Sequence, residues 1–103
     1  MADGLPSDVA PYKRTPVFDQ DTMPAGLRHE HRTKSGVWAL IQVVEGRLRY
    51  RIAGTPGEQT LSPGVNGVVQ PEQRHEVEPI GKVRFFVEFY AREQQSGDPH
   101  DKA

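Results

Sequence analysis

The sequence predicts a small all-β domain, on three observations. Pro and Gly, 9 and 10 of the 103 residues, fall between short apolar segments as punctuation. No window of about a dozen residues carries a 3.6-residue apolar period. Apolar residues alternate instead along brief segments bounded by turn residues, the pattern of half-buried strands. About eight such segments with short connections suit an antiparallel sandwich or barrel, and spacing alone leaves both open.

The elements follow in chain order. Residues 1–16 are polar and proline-containing, so an N-terminal arm that lies across the surface or pairs weakly is expected ahead of a barrel over residues 17–91. Thr22-Met-Pro-Ala-Gly26 reads as a turn. In Leu27 to Arg32, Leu27, His29 and His31 share one face and Arg28, Glu30 and Arg32 the other, which predicts a strand. Val37 to Val44 is apolar on both faces, as in a strand buried on two sides. Glu45-Gly46 is expected to reverse the chain. Arg47 to Ile52 then alternates, with Leu48, Tyr50 and Ile52 inward and three arginines outward. Thr55-Pro-Gly57 and Ser62-Pro-Gly64 flank a short strand near Gln59 to Leu61. Val68 to Gln70, His75 to Glu78 and Val83 to Tyr90 complete the set, and a disordered polar tail is expected over residues 92–103.

Composition narrows the function. A chain of 103 residues makes one domain. It has no cysteine, which excludes disulfides, thiolate metal sites and a cysteine nucleophile. A formal net charge of −1 offers no footprint for nucleic acid or an anionic membrane. The start lacks the basic and apolar regions of a secretory signal, and no apolar run approaches the roughly 20 residues of a membrane span. A cytoplasmic location is therefore expected. No phosphate-binding glycine loop, nucleophile elbow or dinucleotide fingerprint is present.

His29-Glu30-His31 is the most informative tripeptide. In a strand, residues i and i+2 point to one face with Cα atoms about 7 Å apart, so two imidazoles can converge on one metal ion. His75 also points inward by parity, with Val77 on its side and Glu76 and Glu78 opposite. Buried imidazoles need partners, and a shared divalent metal would supply one for all three. The alternative is three ordinary core or partly buried histidines. His100, in the tail, is expected to stand apart. Glu88 sits within the most apolar stretch, Phe85 to Tyr90, where a carboxylate is paired, protonated or coordinated. It either joins the histidines in a mixed nitrogen and oxygen site or faces outward toward an arginine such as Arg84. Glu72 is a second candidate carboxylate, and Trp38 and Tyr50 are core or pocket wall. Zn or Fe suits such a donor set best, with Mn or Ni next. Arg47, Arg49 and Arg51 read as a solvated face balanced by acids such as Glu76 and Glu78.

Several short blocks in order complete the reading: Met23-Pro-Ala-Gly-Leu, His31 to Trp38, Glu45-Gly-Arg-Leu-Arg-Tyr, Gln70 to Pro79 and Val87-Glu-Phe-Tyr. Together they resemble the family of small cupin-like domains that includes the N-terminal domain of the tellurite-resistance methyltransferase TehB and the stand-alone YeaR-type proteins. The resemblance spans about residues 12–91. It implies a cupin-like (jelly-roll) barrel with a metal site at its open end, and His31, His75 and Glu88 fall on the family's His, His and acidic positions. His29 matches less directly, and Arg32-Thr-Lys-Ser stands where general cupins place a glutamate soon after the His-x-His pair. Methyl transfer resides in another domain of TehB, so the chain is not expected to be a methyltransferase. The resulting expectation is a metal-binding cupin-like domain that binds a small molecule or anion, or senses it in a tellurite- or nitrosative-stress response. The alternatives are a small metal-dependent enzyme of dioxygenase or isomerase type, or a dimerisation module with a vestigial site. A homodimer is expected from the uncovered strand edges.

Overall fold

A computed structural model describes residues 5–28 and 33–92 of the chain. Six strands form one antiparallel sheet: β1 (Val9–Arg14), β2 (Phe18–Asp19), β3 (Trp38–Ile52), β4 (Gln59–Leu61), β5 (Gly67–Val69) and β6 (His75–Arg92). The spine is the β3–β6 pair, in register from Trp38 opposite Tyr90 to Ile52 opposite His75. Short strands flank it. β1 and β2 pair with the far edge of β6, and β4 and β5 with successive halves of the far edge of β3. The hydrogen-bonded path runs β1-β6-β3-β4, so the sheet has two edges. Among the described residues no helix is long and apolar enough to cross a membrane.

The all-β class is as expected, but there are fewer and longer strands. Glu45-Gly46 does not reverse the chain. β3 runs straight through it on a bulge, and β6 does the same at Gly81-Lys82. Val44 is one extra residue in β3, so the buried side switches from Ala39, Ile41 and Val43 to Leu48 and Tyr50. β6 carries two extra residues, so its inward parity is the same on both sides: His75 and Val77, then Val83, Phe85 and Val87. A bulge that shifts both strands bends the pair, and the inner residues of both halves meet in one core.

The strand expected from Leu27 does not start there. Pro24 to Arg28 coils instead, with Ala25–Arg28 a 3-10 turn and the Leu27 N–H donating to the Pro24 carbonyl at 3.0 Å. His29, Glu30, His31 and Arg32 lie outside the described residues, as do residues 93–103 with His100. The turn ahead of them is as read. The Asp19 carboxylate accepts the Asp21 and Thr22 N–H groups at 2.8 Å each, which holds its pKa below the usual range. Of the two placements expected for the N-terminal arm the paired one is found, with Val9–Arg14 a strand of the sheet beside β6. Arg92 is likewise part of β6. It donates to Asp8 at 2.7 Å and stacks 5.1 Å from the Trp38 ring centroid.

Candidate functional site

The concave side of the bent sheet forms a cavity of about 210 Å³ that is open to solvent on one side. Ile41, Val69, Val77, Phe85, Val87 and Phe89 make much of its wall, with Leu27 and Pro24 closing over from the 3-10 turn. Three polar side chains also line it: Thr15, Thr33 and His75.

Both threonines are committed to backbone. Thr15 Oγ1 accepts the Val87 N–H at 3.0 Å and donates to the Pro16 carbonyl at 2.9 Å. Thr33, buried just ahead of β3, donates to the Val37 carbonyl at 2.8 Å and accepts the Glu72 N–H at 3.2 Å. That second bond clamps the loop from Gln70 to Arg74, where Glu72 takes a left-handed φ of 62°. The loop closes on itself, Gln73 N–H to the Gln70 carbonyl and Gln70 N–H to Gln73 Oε1, each at 3.1 Å.

This clamped loop delivers His75. The side chain is only 5% exposed, and its Nδ1 lies 3.1 Å from the Gln73 carbonyl. A carbonyl only accepts, so Nδ1 carries the proton. In the neutral ring Nε2 is then the lone-pair nitrogen. Histidines that bind metal are held in the same way, the remote nitrogen donating to a carbonyl or carboxylate. The Tyr50 ring meets the imidazole edge-on at 6.1 Å between centroids, and its hydroxyl donates to the Val68 carbonyl at 2.7 Å.

Tyr50 gives a pH-dependent result. Burial pushes its phenol up from 10.0 to about 12. Between those pH values the folded chain keeps a proton that the unfolded chain has lost. Stability therefore falls as pH rises through the window, by up to about 2–3 kcal/mol at about 1.4 kcal/mol per pKa unit. Denaturant titrations from pH 9 to 12 should show the decline in the wild type and a shallower one in Tyr50→Phe. Equal slopes would contradict this account of Tyr50.

The remaining expected site residues are placed as follows. Glu88 is on the opposite face of β6 from His75. Its carboxylate accepts Arg14 at 2.8 Å and Gln42 at 2.6 Å, the outward of its two expected placements rather than one beside His75. The arginine it pairs with is Arg14, since Arg84 pairs with Glu45. Trp38 shares the Glu88 face, under Arg92. Glu72 is exposed in its turn, and its backbone N–H donates to Thr33 Oγ1. Tyr50 backs His75. Among the described residues no three His, Cys, Asp or Glu side chains cluster as a metal site. The arginine face is as expected, with Arg49 on Glu78 at 3.1 Å and Arg51 on Glu76 at 2.8 Å, exposed pairs of small energetic weight. Sequence reading missed Thr33 and Gln73, which fix the loop and the His75 tautomer.

A family model described as the TehB-like domain matches residues 13–87. The chain belongs to the TehB-like domain family. The "Probable S-adenosyl-L-methionine-dependent methyltransferase TehB" of Haemophilus influenzae is 30% identical over 74 residues, 67% of this chain and 26% of that protein. The chain thus spans about a quarter of that relative's length. The crystal structure of TehB from the same organism superposes with a TM-score of 0.83 at 22% identity, over 94% of this chain and 36% of that one. A crystal structure of a protein from E. coli strain K12 gives 0.78 at 22% identity and is covered over 95% of its length, against 85% of this chain. The cupin domain of Schizosaccharomyces pombe Cnp3 gives 0.55 at 14% identity, over 97% of this chain and 76% of that one. The last likeness concerns fold alone, and it makes this TehB-like domain cupin-like.

Proposed function

We propose that this TehB-like domain is a small-molecule-binding module whose cavity holds a divalent metal ion on His75, with His31 and His29 completing the donors. Zn or Fe suits such imidazole donors. The observation that carries the reading is His75 itself: buried in the cavity wall, with Nδ1 engaged by the Gln73 carbonyl. A binding role suits the wall, which among the described residues is apolar apart from Thr15, Thr33 and His75. By family resemblance the binding event would serve a sensing role in a tellurite- or nitrosative-stress response.

Elemental analysis of protein purified without a histidine tag tests this. The wild type should carry one divalent ion per chain. His75→Ala and His31→Ala should each weaken the metal at least as much as loss of an outer-shell partner does, about 10–100-fold. His29→Ala should lose less and His100→Ala nothing. Melting temperatures should follow metal occupancy. Full metal content and unchanged melting in both His75→Ala and His31→Ala would make these ordinary core histidines.

A further inference from the structure

From the cavity wall we infer the ligand class: a compact neutral hydrophobic molecule, about the size of a substituted benzene ring, held by burial and shape. The inference rests on the small-molecule-binding role proposed for the cavity and needs no metal ion.

Charge sets the first limit. Among the described residues no Lys, Arg, Asp or Glu lines the cavity. An anion or a cation entering here would give up its water with no opposite charge to meet it. Hydrogen bonding sets the second. The hydroxyls of Thr15 and Thr33 are already bonded to backbone groups, and His75 Nδ1 is held by the Gln73 carbonyl. A sugar or other polyol would lose several bonds to water without equivalent replacement. An uncharged apolar molecule loses nothing of that kind. Size sets the third. An apolar cavity of about 150 Å³ accommodates benzene. One of about 210 Å³ has room for a ring and a small substituent, but not for a nucleotide or a disaccharide. The wall also carries the shape of a ring. Ala39 lies between Val69 and Phe89 in one cross-strand row, and all three line the cavity. Its single methyl leaves a notch between two larger side chains. The Phe18 and Phe85 rings, which line the cavity too, pack tilted at 5.8 Å between centroids. A third ring beside them meets the same edge-to-face preference. The open side lets such a molecule enter with the wall intact.

Calorimetry on the purified chain with toluene, benzoate, benzylammonium and glycerol tests the inference. Toluene should bind at least about ten-fold tighter than the other three, because it alone enters without stranding a charge or a hydroxyl. A chelator should leave its affinity unchanged. Ala39→Leu fills the notch and should weaken toluene at least about ten-fold. Ala39→Val, a smaller filling by a residue suited to strands, repeats the test should Ala39→Leu fail to fold by circular dichroism. Benzoate, benzylammonium or glycerol matching toluene would overturn the ligand class. So would toluene binding that is indifferent to both fillings or that disappears with a chelator. Toluene binding by protein that carries no metal would keep this inference and overturn the metal ion. A bound metal ion with no toluene binding would do the reverse.

Discussion

Gly46→Ala should lower the unfolding free energy by about 3–5 kcal/mol, the largest loss expected of any single methyl added to this chain. Gly46 has a φ of 86°, a conformation in which a side chain is strained. It also faces the β6 bulge, where an added Cβ would run into the Lys82 carbonyl oxygen and lie 2.9 Å from Val83 Cα. Both obstacles are backbone, so no rotamer change relieves them. They could separate only if β3 and β6 moved apart at the point where both strands bend. For a domain of this size each kcal/mol moves the melting temperature by about 4–8 °C, so a fall of about 15–30 °C is expected. Gly54→Ala makes the control. It has a similar φ of 83° but open space around the new Cβ, and should show the conformational cost alone, about 1 kcal/mol. Equal losses in the two variants would mean that the close approach of β3 and β6 does not matter.

That bulge also explains what the sequence could and could not reveal. Alternation within each segment was legible, and so were the inward positions Leu48, Tyr50, His75 and Val77. Whether a break in alternation reverses the chain or only bulges it was not. A glycine at positive φ serves a hairpin turn and a bulge equally well. Burial shows the difference, since inward parity passes from odd numbers at Ala39 to Val43 to even numbers at Leu48 and Tyr50, but Val37 to Val44 is apolar on both faces and hides it in the sequence. A single inserted residue produces that shift within one continuous strand. The partner strand hid the same device, because its two extra residues leave parity unchanged.

In the site, His75 was readable because its neighbours alternate cleanly and Val77 marks the inner face. Thr33 and Gln73 were not, because each acts through a backbone group brought close only by the folded loop. The placement of Glu88 was left open between two faces for a related reason. Its apolar neighbours required a partner for the carboxylate, and a partner exists, but on the outer face. Phe86, Glu88 and Tyr90 share that face, and Phe85, Val87 and Phe89 share the cavity. Both faces of this stretch are aromatic, so composition does not tell them apart.

Glu88→Ala should therefore destabilise the sheet and leave the cavity's binding properties intact. The carboxylate joins three strands. Oε2 accepts Arg14 of β1 through Nη2 at 2.8 Å and Nε at 3.2 Å, while Oε1 accepts Gln42 of β3 at 2.6 Å and Tyr90 of β6 at 3.3 Å. Arg14 is held in turn 4.8 Å from the Phe86 ring centroid. The Glu88 side chain is 12% exposed, so its bonds are shielded, but Arg14 is 63% exposed and regains water once released. The net loss is then set mainly by the half-buried Gln42 amide and Tyr90 hydroxyl left without their acceptor. At about 1–3 kcal/mol per stranded group, partly relieved by water, the total is about 2–3 kcal/mol. Glu88→Gln keeps an oxygen for one of these donors and should lose about half as much. Neither variant should change metal content, since the carboxylate and His75 stand on opposite faces of β6. Measured metal stoichiometry would decide the point directly: loss of the ion in a folded Glu88→Gln protein would return Glu88 to the coordination sphere and contradict the arrangement of the two faces.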